Sequence, residues 1–161
     1  MYSSQEGDEM RRVRWLASLF VLGAALVLGG RSASAQTCSI STTPVSFGIY
    51  DVFSLTDLAS TGSVHYQCSW LVHQRTVYLS KGSAPNNNPR QLVSGSNRLN
   101  YNLYLDAGHT QIWGDPNPYS FADTGWDFFP NVTLTIYGLI PAGQDVPTGS
   151  YTDAIIATVN F

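Results

Sequence analysis

Apolar and polar residues alternate along much of the second half of the chain. Val64, Tyr66 and Cys68 fall on one row, with His65, Gln67 and Ser69 opposite. Val77 and Leu79 alternate with Thr76, Tyr78 and Ser80, and Leu99, Tyr101, Leu103 and Leu105 with Asn100, Asn102, Tyr104 and Asp106. Val132, Leu134 and Ile136 interleave with Thr133, Thr135 and Tyr137, and Ile155, Ala157, Val159 and Phe161 form a last row. A period of two, carried by β-branched and aromatic residues, predicts strands with one buried face. Gly82–Pro89, Gly95, Asp115–Pro118 and Pro141–Gly149 break the rows with Gly, Pro and Asn. With Val45–Tyr50 added, six strands are expected. The fold class they imply is all-β, a two-sheet antiparallel sandwich in one domain.

The first 35 residues follow another rule. Arg11, Arg12 and Arg14 precede an uncharged run from Trp15 to Gly30, which ends in Ser32-Ala33-Ser34-Ala35 before Gln36. That order describes a secretory signal peptide over residues 1–35, with Met10 the better start because Arg11 follows it at once. The run is shorter than the roughly 20 residues that a membrane span needs. Residues 36–161 then form the domain. They keep four basic and eight acidic residues, every acid an Asp, and Lys81 as their one lysine. Glu, Lys and Met favour helices and Asp, Asn, Ser and Gly favour turns, so the composition agrees with β-structure. A formal charge of -3 over the whole chain, without a basic stripe, disfavours nucleic acid as a partner.

Export places Cys38 and Cys68 in an oxidising compartment, and one disulfide is expected between them. Closing the loop of about 30 residues between them is worth about 3.5 kcal/mol on the chain-entropy model. Catalytic chemistry finds little to use. No G-x-S-x-G turn occurs, and His65, His73 and His109 lack the spacing of a triad or a zinc site. Asp115, Asn117, Asp123 and Asp127 lack calcium-loop spacing. No catalytic residue, metal or cofactor is therefore expected. Asn131-Val132-Thr133 matches a glycosylation sequon at the start of a strand. Trp113, Tyr119, Phe121, Trp126, Phe128 and Phe129 crowd one segment that reads as a long loop. Exposed rings there would stack on sugars or press onto an apolar surface, host or abiotic; folded back, they would cover the end of the sandwich.

Several motifs in order resemble the spore coat protein U domain family. They are Phe47-Gly48-Ile49-Tyr50-Asp51, Leu99-Asn100-Tyr101-Asn102-Leu103-Tyr104, Trp113-Gly114-Asp115, Tyr137 to Gln144, and Val146 to Asp153, with the two cysteines where that family places its pair. The resemblance spans residues 38–161. It implies a secreted, non-enzymatic subunit of an archaic, Csu-like chaperone–usher system that builds a pilus or spore coat. Such a subunit has an immunoglobulin-like sandwich without its last strand. A periplasmic chaperone fills the gap first, then a strand from a neighbouring subunit, exchanged at an outer-membrane usher; the mode is β-augmentation. The subunit crosses the periplasm and ends on the cell surface. Carried onto this chain, Ile155, Ala157, Val159 and Phe161 would border the groove. Only Gln36 and Thr37 would precede Cys38 after cleavage, leaving no strand to donate and pointing to a tip or terminal subunit. The rival expectation is a self-complete secreted binding module that uses the aromatics of 113–129.

Overall fold

The computed structural model describes residues 37–115 and 120–161. The expected leader, the shortage of a donor segment before Cys38, and Tyr119 and Asn117 lie outside these residues.

Eight strands and no helix make up the described chain: β1 (Cys38–Thr43), β2 (Leu58–Cys68), β3 (Val72–Leu79), β4 (Arg90–Ser94), β5 (Asn97–Tyr104), β6 (Phe121–Asp127), β7 (Asn131–Ile140) and β8 (Ala157–Asn160). All strand pairs are antiparallel. They form a five-stranded sheet, β1-β2-β7-β5-β4, and a three-stranded sheet, β6-β3-β8. The inner rows of both sheets meet in one core. Val64 and Tyr66 of β2, Leu99, Tyr101 and Leu103 of β5, and Ile136 and Ile140 of β7 pack with Val72, Val77 and Leu79 of β3. The alternation seen in the sequence is thus the inner face of a sandwich.

Three strands go beyond the six expected. β1 and β4 sit at the two edges of the large sheet, and β6 at an edge of the small one. Val45–Tyr50, expected as a strand, is not one. Pro44 follows β1 directly, and Gly48 takes φ +75°, which breaks an extended run. The segment instead lays Val45 and Phe47 across the large sheet, over Gly62 of β2 and Gly138 of β7. The last row is shorter than expected. Only 157–160 pairs as β8, while Thr152 bridges to Val93 of β4, so the chain leaves one sheet and joins the other between these points.

In immunoglobulin terms, β1, β2, β7 and β5 stand in the A-B-E-D order, and β3 and β8 take the places of C and F. Among the described residues no strand occupies the place of G beside β8. The disulfide joins Cys38 and Cys68, directly opposite each other where β1 pairs with β2.

A strand-sized cleft and two exposed poles

An open cleft lies between the chain that follows β1 and the chain that leads into β8, and of β8 itself Ala157 lines its inner part. One wall is the segment from Pro44 to Phe53; the other runs from Val146 through Asp153. The larger part is about 960 Å³, floored by Leu92, Leu99 and Ile140. A smaller recess of about 320 Å³ continues inward among Val64, Leu79, Leu103, Ile136, Ile155 and Ala157. Core side chains of both sheets therefore line an open surface.

The cleft's shape rests on a few polar ties. Asp153 lies on the wall of both parts. It accepts the Tyr101 hydroxyl proton at 2.7 Å and the backbone N–H of Ser83 at 2.8 Å and of Ala154 at 2.9 Å. The Ile156 N–H donates to Ser80 Oγ at 2.9 Å, which steers the chain toward β3. Burial, and then the bond donated to Asp153, push the Tyr101 hydroxyl well above its ordinary pKa. Arg90 is fully buried behind the cleft. It donates to Ser80 O at 3.0 Å, Trp113 O at 2.6 Å and Asn102 Oδ1 at 2.8 Å, and burial lowers its pKa. On the opposite wall the Tyr50 hydroxyl donates to Pro141 O and accepts from the Gln144 N–H.

Of the four residues expected to border the groove, Ile155 and Ala157 line the inner recess. Val159 packs against the core from β8, and Phe161 is exposed beyond it. Sequence reasoning missed most of the opposite wall. Its signal was the apolar pattern of Val45, Phe47 and Ile49, which was assigned to a strand.

The aromatic segment divides. Trp113 is no surface residue: it is fully buried, and its indole N–H donates to Val77 O at 2.8 Å. Phe121 is half-buried against the core at the start of β6, so the stretch is largely an edge strand and not a long loop. Trp126, Phe128 and Phe129 are exposed, and two residues from the β2–β3 side join them. His73, expected in a connection, lies in β3 and stacks on Trp126 with ring centres 4.1 Å apart. Trp70 meets Phe129 edge-on at 5.8 Å. Beneath these rings Arg75 is buried in an ion pair with Asp123 and Asp127. The Gly125 N–H and then Arg75 hold the Asp123 carboxyl below its usual range. His65 donates or accepts with Asn131 at 2.8 Å on the outer face of the large sheet, and His109 stands in a turn at φ +55°. The three histidines lie apart, and the described residues hold no cluster fit for a metal.

Fold and cleft together define a disulfide-pinned, immunoglobulin-ordered sandwich with an open apolar cleft. The chain belongs to the Spore Coat Protein U domain family, whose model matches residues 24–158. It is 29% identical over 130 residues to "Protein U" of Myxococcus xanthus, covering 73% of this chain and 71% of that protein. Among solved structures it is similar to a chain in the crystal structure of the CsuC–CsuE chaperone–tip adhesion subunit pre-assembly complex, from archaic chaperone–usher Csu pili of Acinetobacter baumannii. That likeness has a TM-score of 0.50 at 20% identity over 79% of this chain, and the match spans 40% of the other chain. At that identity it speaks for the fold.

Proposed function

We propose that this protein is a structural, non-enzymatic subunit of a pilus or coat, and that its cleft is an acceptor for a strand supplied by another protein. Exported by the leader of residues 1–35, the domain of 36–161 takes a strand from a periplasmic chaperone and exchanges it at an usher for one from a neighbouring subunit. The observation that carries this reading is the free edge of β8 together with an open cleft floored by core side chains, whose inner part reaches Ala157. An added strand would pair through backbone hydrogen bonds while its alternate side chains fill the cleft. An uncovered sheet edge over an apolar floor invites aggregation, which gives a chaperone its physical task. Family membership and the fold shared with a chain of a chaperone–subunit complex support the same reading.

The test is to export the full chain in a bacterium with and without a chaperone of the archaic pilus type. The expected result is a soluble one-to-one complex with the chaperone and aggregation without it. Ala157→Trp, which fills the inner recess, should abolish capture while leaving the disulfide formed. A chain that is monomeric alone, unfolds in one cooperative transition and is not captured would overturn the proposal.

A further inference from the structure

The cleft is apolar but not neutral. Core residues floor it, yet each wall carries one carboxylate: Asp51 on the wall that follows β1, and Asp153 on the wall that leads to β8. Asp153 also lines the inner recess, so it stands where the two parts of the cleft meet. No Lys, Arg or His lines either part. The four basic residues of 36–161 are engaged elsewhere. Arg75 pairs with Asp123 and Asp127, Lys81 donates to Pro85 O, and Arg98 donates to the carbonyls of Gly95 and Asn97. Arg90, whose charge reaches Asp153 through space, gives its hydrogen bonds to neutral oxygens.

Both carboxylates keep accepting capacity. An ionised carboxylate offers about four lone-pair sites. Among the described residues Asp51 accepts one bond, from the Phe53 N–H, and Asp153 Oδ2 accepts one, from the Tyr101 hydroxyl. While the cleft is open, Asp51 is exposed and Asp153 half-buried, so water reaches both. A wholly apolar strand laid between the walls would strip that water and return no partner, which is costly for a charged group.

We infer that the strand this cleft takes carries a basic side chain that meets Asp51 and Asp153, and that it belongs to another protein and not to a second copy of this chain. This rests on the strand-accepting reading and adds the chemistry of the partner. Lys or Arg suits the place, because its aliphatic stem packs along Val45, Phe47 and Tyr151 while its head reaches a carboxylate. Inside a partly closed cleft that attraction is stronger than on an open surface. An acidic side chain would meet two like charges there, so the same pair of carboxylates turns wrong strands away. Four basic against eight acidic residues in 36–161, a net charge of -4, draw a basic partner from a distance. A second copy has no free basic strand to lend: its basic residues within 36–161 are held in its own fold, and the others lie in the expected leader.

Synthetic peptides of alternating Val and Thr, about nine residues long, test it, with Lys, Gln or Glu placed in turn at each position. The oxidised full chain is diluted from guanidinium into an excess of each fluorescent peptide, and anisotropy reads the binding. At one position or two, the Lys peptide should bind about tenfold tighter than the Gln peptide, and the Glu peptide about tenfold weaker. In Asp51→Asn, whose remaining side-chain oxygen can still accept the Phe53 N–H, the Lys-to-Gln ratio should fall toward one. Asp153→Asn gives the same reading from the other wall. A merely structural role for these residues would weaken all three peptides alike and leave the ratio untouched. Equal binding of Lys, Gln and Glu at every position, or a ratio that survives Asp51→Asn, would overturn the inference while leaving the strand-accepting reading in place. A peptide of residues 24–37, which contains Arg31, binding as tightly as the best Lys peptide would hand the cleft to a second copy and overturn it as well. If no peptide of any charge is bound, the strand-accepting reading falls and this inference with it.

Discussion

Asp153 gathers three stretches of chain at one carboxylate: the Tyr101 hydroxyl from β5, the Ser83 N–H from the β3–β4 connection, and its neighbour Ala154. Gly82 is part of the same arrangement. It takes φ +63°, and a Cβ there would lie 2.1 Å from Asp153 Oδ2, so a side chain at this position would strain the backbone and push the carboxylate from its partners. The raised pKa of Tyr101 has a defined sign. The native hydroxyl keeps its proton to higher pH than the unfolded one, so its contribution is present below about pH 10 and is lost as pH rises beyond it. Tyr101→Phe should cost about 1 kcal/mol at neutral pH and flatten the alkaline loss of stability. Guanidinium unfolding of both proteins at neutral pH and just above pH 10 would show the two curves converging. None of this was legible beforehand. Tyr101 was placed correctly on an apolar row, but its partner lies 52 residues away, and Arg90 gave no sign of being buried.

The elements that escaped notice are mostly those with little contrast between their faces. β1 is exposed along nearly its whole length, and β6 carries Gly125 and two aspartates that look like turn residues. Each is an edge strand, where alternation is weak because little is buried. The opposite error was made at Val45–Tyr50, where a period of two belongs to an irregular segment packed over two glycines. Gly62 and Gly138 make that packing possible. A Cβ at 138 would meet Phe47 Cζ and Val45 Cγ1 at 2.7 Å. Gly138→Val should therefore push the segment off the sheet, remove the edge-on contact of Phe47 with Tyr101, and cost about 1–3 kcal/mol. A lowered denaturation midpoint with an unchanged disulfide would be the expected result; an unshifted midpoint would mean that the segment is not part of the packed core.

For the molecule as a whole, class, core rows and disulfide could all be anticipated, because burial on one face and an oxidising route leave marks in the order of residues. The cleft could not be derived that way: an open surface between segments leaves no periodic mark, and a groove was expected only through resemblance to a family. Replacing both cysteines by serine should lower stability by about 3.5 kcal/mol on the chain-entropy model, measured as the difference in unfolding free energy between the variant and the oxidised protein. Equal stabilities would show that β1 is held by its pairing with β2 alone.

The position of that disulfide has a mechanical consequence. β1 is an edge strand whose one neighbour is β2, and a pull on the residues before Cys38 would otherwise peel it away one hydrogen bond at a time. The sulfur–sulfur link stands at the first residue of β1 and hands the load to the last residue of β2. β2 is flanked on its other side by β7 over ten consecutive residue pairs. Tension arriving at this end thus bypasses the weakest strand and is resisted in shear by the middle of the sheet.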